Sequence, residues 1–340
     1  MFGLEIAPLL KRFSQGKTIT IKEEKKLAQA RLIVPNNDNS QDLKTQLNYF
    51  PIAYSIIKNY IAKLNLSEEI VLNLLWRLWL PLAFYIAKKR DRKSLPIIQG
   101  ILGLQGTGKT TLATILGLLL TELGYQTATL SIDDLYKTYT ERQQLQQEDS
   151  RLIWRGPPGT HDIDLGKEVL DNIRQEKTPV AIPRFDKSAF QGMGDRAGPE
   201  QINHKIDILL FEGWFIGVQP IQETAFYSPP APIVTEADRQ FAIDNNRRLE
   251  AYLPLWNRLD GLIILSPVDY RLSQQWRRQA EQKRIAQGKS GMSEQEINQF
   301  VEYFWQSLHP ELFITPLIES KQGVDAVIEI DANHIPKHIY

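Results

Sequence analysis

The chain has 340 residues, of which 42% are hydrophobic and 24% charged, the balance of a soluble protein with a sizeable core. Its 40 basic and 40 acidic residues cancel, which argues against a general nucleic-acid or membrane-surface binder, so we expect neither partner. Because the chain has no cysteine, disulfides, thiol nucleophiles and cysteine-ligated zinc are excluded.

Residues 1–95 have a helical pattern and are predicted to form a separate N-terminal region that packs on the main domain. Their start, MFGLEIAPLLKRFSQGK, does not resemble a secretory signal, and the expected location is cytoplasmic. The apolar run at 70–89 is long enough for a membrane span, but Arg77 inside it costs about 2.5–3.5 kcal/mol at a bilayer centre. We therefore predict a buried helix pair that Pro81 breaks or kinks, with a partner-binding helix as the alternative.

From residue 96 to 340, apolar runs of strand length alternate with helical stretches. The strand candidates are IIQGILGL, TATLSI, PVAIP, IDILLFEG and GLIILS. Runs that are apolar throughout, separated by helices, predict parallel strands covered on both faces. The expected fold is therefore α/β, with a mostly parallel sheet between helices.

The segment GLQGTGKT, at 103–110, matches G-x-x-x-x-G-K-[ST] at every position. Between a strand and a helix, its glycines let backbone N–H groups converge on phosphates at a helix N-terminus. Lys109 is expected to reach the β- and γ-phosphates, and the Thr110 hydroxyl to bind Mg²⁺. The pattern predicts a nucleoside triphosphate site. The predicted nucleotide-binding residues are Gly103, Gln105, Gly106, Thr107, Gly108, Lys109, Thr110 and Thr111.

Acidic residues follow two of the predicted strands. They narrow the range of possible functions, because the phosphate loop alone fits a GTPase, a motor, an ABC-type ATPase or a kinase. SIDDLY places Asp133 and Asp134 at the carboxyl end of a strand, where ligands bind in open α/β sheets. A carboxylate there can accept a proton from a hydroxyl, hold Mg²⁺ through water, or cap a helix. ILLFEG ends in Glu212, at the Walker B position. The candidate Mg²⁺ ligands are Thr110, Asp133 and Glu212.

Two segments between these motifs, RGPPGTHDIDL and IPRFDKSAFQGMGDR, mix glycine, proline, charge and aromatic residues. Their cations can form a pocket for a carboxylate, and their His-Asp pair can bind hydroxyls, although each charge alone is also typical of a solvated loop. The predicted acceptor residues are Arg155, Arg184, Lys187 and Arg196 for the anion, and His161 and Asp162 for hydroxyls.

A basic helix near the C-terminus, within WRRQAEQKRIAQGKSGMS, is a candidate lid over the phosphates. It carries Arg277, Arg278 and Arg284, and the expected lid spans about 268–292. The alternative is a solvated charged face.

The order of the phosphate loop, SIDDLY, PRFDKSAF and LLFEGW resembles the uridine kinase, phosphoribulokinase and pantothenate kinase superfamily. More narrowly, RGPPGTHD, PRFDKSAFQGMGDR, LLFEGWFIG, NNRRLEAYLPLW and the two following helices resemble D-glycerate 3-kinase of the plant and cyanobacterial type, over about residues 97–335. The resemblance implies ATP- and Mg²⁺-dependent phosphorylation of D-glycerate to 3-phosphoglycerate, the closing step of photorespiratory carbon recovery.

The resemblance also implies roles for individual residues. Asp133 corresponds to the general base, Asp162 to an acceptor contact, and the Arg277–Arg284 helix to the arginine-bearing lid. The expected catalytic residues are Asp133, Lys109 and Arg277. Uridine kinases carry Y-D-F where this chain has FDKS, and the lysine and serine suit a small anionic acceptor better than a pyrimidine. The alternatives are a nucleoside or pantothenate kinase and, in another class, a nucleotide-gated switch or assembly ATPase. The sequence leaves the oligomeric state open.

Overall fold

The computed structural model describes residues 6–32, 39–64, 66–286 and 291–340. A six-stranded sheet lies at its centre, beside a separate two-stranded hairpin. The sheet has the order β2-β5-β1-β6-β7-β8; β8 is antiparallel to β7 and the other neighbours are parallel. The predicted α/β class is therefore confirmed. The strands are β1 (Ile97–Gly103), β2 (Thr127–Ser131), β3 (Val180–Asp186), β4 (Asp195–Ile202), β5 (Ile208–Gly213), β6 (Gly261–Pro267), β7 (Val324–Ile330) and β8 (Pro336–Ile339).

Helices cover both faces of the sheet because β1 and β5 are buried along their whole length and need apolar cover on each side. Helices α1 to α6 share one hydrophobic cluster with the sheet, and α8, α9, α10, α12 and α13 share the cluster on the opposite face. The helices are α1 (Ala7–Ser14), α2 (Ile21–Ala30), α3 (Asn39–Ile61), α4 (Glu68–Leu74), α5 (Leu80–Asp91), α6 (Lys109–Glu122), α7 (Tyr139–Glu148), α8 (Ile163–Arg174), α9 (Glu236–Arg248), α10 (Leu253–Trp256), α11 (Leu272–Ala286), α12 (Glu294–Ser307) and α13 (Pro310–Ser320).

The apolar run near residue 80 is a core element. Within the described residues, Glu68–Asp91 is a helix long and apolar enough to cross a membrane, but 78% of its most apolar window is buried inside the fold. The predicted burial is confirmed. The helix is not broken at Pro81, but it is irregular just before it, where a π-helical turn, Leu75–Trp79, joins α4 to α5. Pro81 has no N–H to donate, and the Arg77 carbonyl instead accepts from the Leu32 backbone N–H at 3.3 Å. The division of the chain at residue 95 stays a prediction.

The strand register brings the motifs together at the carboxyl edge of the sheet. Glu212 on β5 lies beside Ile101 on β1 and beside Ser131 on β2. The phosphate loop begins two residues after Ile101, and Asp133 lies two residues after Ser131. Parallel strands therefore place the loop and both acidic motifs side by side.

The β3–β4 hairpin differs from what the sequence pattern indicates. PVAIP is extended as predicted, but it begins a longer strand that pairs antiparallel with β4 outside the main sheet. β4 has no strand pattern in the sequence, because DRAGPEQI is polar and contains glycine and proline. The elements α7, α13, β7 and β8 were not predicted either. Lys187 consequently lies in the hairpin turn, directly after the pair formed by Asp186 and Asp195.

Candidate active site

The phosphate loop has the backbone conformation that its glycines permit. Gly106 and Gly108 have φ of 80° and 89°, in the left-handed region. A Cβ on Gly106 would lie 2.6 Å from Cβ of Trp276, so this position excludes any larger residue. Gly108 precedes Lys109 at the start of α6 without a side-chain cap, which leaves the first N–H groups of the helix for an anion.

Glu212 and Thr110 meet at the mouth of this loop. The Thr110 hydroxyl donates to Glu212 Oε1 at 2.9 Å. Glu212 is 5% exposed, and its Oε2 has no hydrogen-bond partner among the described residues. A buried carboxylate oxygen in this state is costly to leave unpaired and fits Mg²⁺ or one of its waters.

Asp133 lies on the 3₁₀ turn Ile132–Leu135 that follows β2. Its Oδ2 accepts from Lys187 Nζ at 2.6 Å, and its Oδ1 accepts from the Tyr136 hydroxyl at 2.9 Å. Burial raises the pKa of Asp133, but Lys187, Lys109 and the Tyr136 hydroxyl together outweigh burial and lower it. Asp133 is therefore ionised at neutral pH and within electrostatic reach of the phosphate loop.

Asp134 makes a different set of contacts. Its carboxylate accepts from the backbone N–H groups of Ser131 and Phe185, at 3.0 and 3.2 Å, and from Arg184 Nη1 at 3.0 Å. Burial is the main reason that its pKa is raised. These bonds cap the turn and attach the hairpin to it, so Asp134 has a structural environment, whereas Asp133 interacts electrostatically with Lys109 of the phosphate loop.

The predicted anion-binding arginines have protein partners. Each guanidinium nitrogen of Arg184 donates: Nε and Nη2 bind Glu200, and Nη1 binds Asp134 and a backbone carbonyl of β2. Arg196 Nη2 donates to Asp162 Oδ2 at 3.0 Å. These contacts fix β3 and β4 against the acidic turn and against the start of α8.

The remaining two cations differ in how they are held. Arg155 Nη1 donates to the backbone carbonyls of Gly192 and Met193, at 2.8 and 2.9 Å, which holds the tip of the hairpin. Lys187 is 61% exposed and pairs with Asp133. Of the four cations, Lys187 thus has the most exposed head group and the simplest contact.

His161 lies inside an aromatic cluster. It is 2% exposed, stacks on Tyr136 with ring centroids 4.6 Å apart, and its Nδ1 lies 2.7 Å from the Tyr252 hydroxyl. Burial is the largest effect on His161 and lowers its pKa to about 3. The neighbouring Asp162 caps α8, since its Oδ1 accepts from the Leu165 N–H at 3.0 Å. His161 packs on Tyr136, and Asp162 accepts a hydrogen bond from Arg196. Both residues therefore stabilise neighbours of the site.

Replacing His161 with glutamine is expected to weaken the pH dependence of stability. In the unfolded chain His161 takes up a proton near pH 6.5, whereas in the folded chain it stays neutral down to about pH 3. The free energy of unfolding therefore falls as the pH drops between these values. Removing this titration should make the slope between pH 5 and 6.5 shallower by about 1 kcal/mol per pH unit. Urea unfolding across that range measures it, and equal slopes in both proteins would contradict a buried neutral imidazole.

The candidate lid arginines contact α11 itself and α12. Arg277 Nη2 lies 2.7 Å from Glu281, and its guanidinium lies over the Phe300 ring at 5.0 Å. Arg278 Nε lies 3.3 Å from Glu294. The Arg284 side chain and residues 287–290 of the expected lid lie outside the described residues. The lid stays a prediction.

Two residues that the sequence analysis did not select contact the phosphate loop. His334 Nε2 lies 2.7 Å from the carbonyl oxygen of Gly106 and therefore donates to it. The ring of Trp276 lies 4.3 Å from that of His334, and its Nε1 donates to the Ala332 carbonyl. These contacts join the phosphate loop to α11 and to the turn after β7. No motif indicates them, because the partners lie 228 residues apart in the chain.

Replacing His334 with alanine is expected to raise KM for the nucleotide about fivefold, because a net hydrogen bond of about 1 kcal/mol positions the loop. KM for the acceptor should change little. Steady-state kinetics with each substrate varied in turn separate the two effects, and His338→Ala, an exposed histidine on β8, is the control. Equal KM for the nucleotide in both variants would contradict this positioning role.

The chain is similar in sequence to known kinases. It is 30% identical over 269 residues to the chloroplastic D-glycerate 3-kinase of Arabidopsis thaliana, covering 75% of this chain and 57% of that protein. It is 31% identical over 228 residues to mug58, an uncharacterized kinase of Schizosaccharomyces pombe, covering 65% of this chain and 82% of that protein. The chain thus spans just over half the length of the Arabidopsis relative. No protein-family profile matches it.

A solved structure agrees with the fold. The D-glycerate 3-kinase of Cryptococcus neoformans has a TM-score of 0.66 and 24% identity, covering 77% of this chain and 98% of that one. The parallel sheet, the glycine loop and the acidic strand ends have the arrangement of a P-loop nucleotide-binding protein. Together with its relatives, this chain belongs to the P-loop kinase family that includes D-glycerate 3-kinase.

Proposed function

We propose that the chain transfers the γ-phosphoryl group of ATP to the 3-hydroxyl of D-glycerate, forming 3-phosphoglycerate and ADP. The observation that carries this proposal is the meeting of a phosphate loop, Glu212 and the Asp133–Lys187 pair at one edge of the sheet. The name of the Arabidopsis relative supports glycerate as the acceptor. In a photorespiring cell, the reaction would complete the recovery of carbon from glycerate.

On the donor side, the backbone N–H groups of the loop and Lys109 hold the β- and γ-phosphates. Thr110 and Glu212 are the residues that would hold Mg²⁺, with Asp133 as a further ligand through water. The unpaired Oε2 of Glu212 supports this assignment. When bound, the ion offsets negative charge on the phosphates.

On the acceptor side, Asp133 accepts the proton of the 3-hydroxyl while that oxygen attacks the γ-phosphorus in line and the bond to the ADP oxygen breaks. Lys187 binds the carboxylate of glycerate, with Arg196 and Arg184 behind it holding the hairpin in place. Arg277 on the lid helix offsets the charge of the transferring group and excludes water.

An ADP-release assay with a panel of acceptors tests the proposal. The panel contains D-glycerate, other small hydroxy acids, nucleosides, pantothenate and a sample without acceptor. We expect D-glycerate to stimulate ADP release most strongly, with 3-phosphoglycerate as the product. Stimulation by a nucleoside or pantothenate would reassign the acceptor, and a rate independent of every acceptor would indicate a nucleotide-gated switch.

A further inference from the structure

Lys187 differs from the arginines around it in how it can respond to a ligand. Arg184, Arg196 and Arg155 bind carboxylates or backbone carbonyls that hold the hairpin together, so moving any of them would detach structure. Lys187 is 61% exposed and pairs with Asp133. Its head group is a hydrated point charge on a flexible stem, and an exposed ion pair of this kind contributes little to stability.

The two oxygens of Asp133 are held differently. Oδ1 accepts from the hydroxyl of Tyr136, which is 4% exposed, stacks on His161 and makes an edge contact with Phe185. Oδ2 accepts from the exposed Lys187. When Lys187 moves away, Oδ1 keeps its partner and the carboxylate keeps its orientation, while Oδ2 loses the cation that covers it.

We infer that Lys187 is an exchangeable counter-ion that makes proton acceptance by Asp133 depend on an anionic acceptor. Without acceptor, Lys187 neutralises Asp133 and covers Oδ2. The carboxylate of the acceptor takes over Lys187, and Oδ2 is then free to receive the hydroxyl proton as the new O–P bond forms and ADP leaves. This inference rests on the proposed transfer to glycerate.

The exchange has two consequences. A neutral alcohol cannot draw Lys187 away from Asp133, so an acceptor without a carboxylate reacts slowly even if it fits the site. When a water molecule occupies the acceptor position, Lys187 still covers Oδ2 of Asp133, so ATP hydrolysis without acceptor is suppressed.

Lys187→Met tests the inference, because methionine keeps the length of the side chain and removes its charge. ADP release is measured with D-glycerate, with glycerol as a neutral three-carbon acceptor, and without acceptor. For the wild type we expect kcat/KM for D-glycerate to exceed that for glycerol by at least about 100-fold. In the variant this ratio should fall at least about tenfold, and ADP release without acceptor should rise several-fold.

Lys205→Met is the matched control, because Lys205 is also an exposed lysine, 64% exposed, that pairs with a carboxylate, Glu176, at 3.1 Å and lies just after β4. It should behave as wild type in all three measurements. A Lys187→Met enzyme that keeps the wild-type acceptor ratio, or whose acceptor-free ADP release does not rise, would overturn the exchange. If the wild type leaves D-glycerate unphosphorylated, the proposed function fails, while the acceptor-free rate still tests the counter-ion role by itself.

Discussion

Replacing Asp133 with asparagine is expected to lower kcat about 10²–10⁴-fold, the usual contribution of a positioned general base. Asparagine keeps the size of the side chain and an oxygen for the Tyr136 hydroxyl, but it cannot take the proton of the attacking hydroxyl. KM for ATP should stay close to wild type, because Lys109 and Thr110 are untouched. Steady-state kinetics with saturating acceptor measure the change.

Asp134→Asn is the control for this substitution. Asp134 accepts two backbone N–H groups and Arg184, so its loss should lower the free energy of unfolding by about 1–3 kcal/mol. We expect kcat of the folded variant to fall far less than that of Asp133→Asn. Near-normal turnover in Asp133→Asn would remove Asp133 from the role of base, and a loss confined to Asp134→Asn would transfer that role to its neighbour.

Replacing Lys109 with methionine is expected to lower kcat/KM for ATP about 10²–10³-fold, as for other single groups that stabilise developing charge. The expected effect on stability has the opposite sign. Lys109 is the first residue of α6, where a cation opposes the helix dipole, so its removal should leave stability unchanged or raise it by about 0.3–1 kcal/mol. A variant that loses activity without losing stability separates function from folding.

Kinetics and thermal unfolding on the same Lys109→Met sample measure both effects. Lys167→Met provides the control, because Lys167 is a helical lysine on α8 that pairs with Asp164 three residues away. It should change neither quantity appreciably. Retained kcat/KM in Lys109→Met would mean that the loop binds phosphate through its backbone alone.

The donor half of the site follows from local sequence. The G-x-x-x-x-G-K-[ST] pattern requires a strand before it and a helix after it, and the apolar runs around residue 103 supply both. Glu212 lies at the end of a strand that is buried throughout, and Asp133 follows the half-buried strand β2, so a parallel sheet places both at the edge where the loop lies. Short-range pattern was sufficient here because each element carries its own signal.

The acceptor half depends on contacts between distant segments, which local pattern does not encode. Sequence alone treated Arg184, Arg196 and Lys187 as equivalent cations, and the folded chain separates them, because Glu200, Asp134 and Asp162 occupy the arginines. Local pattern does not indicate burial either. His161, a predicted acceptor residue, is buried in an aromatic cluster.

The sequence by itself determined the α/β class, the phosphate loop and the acidic strand ends. Each of these depends on the periodicity and spacing of residues that are close together in the chain. Only the tertiary structure shows that Arg184 pairs with Asp134, that Lys187 pairs with Asp133, and that His334 binds the loop at Gly106. These properties arise from ion pairs and hydrogen bonds between residues 50 or more positions apart, whose partners are chosen by packing of the whole fold.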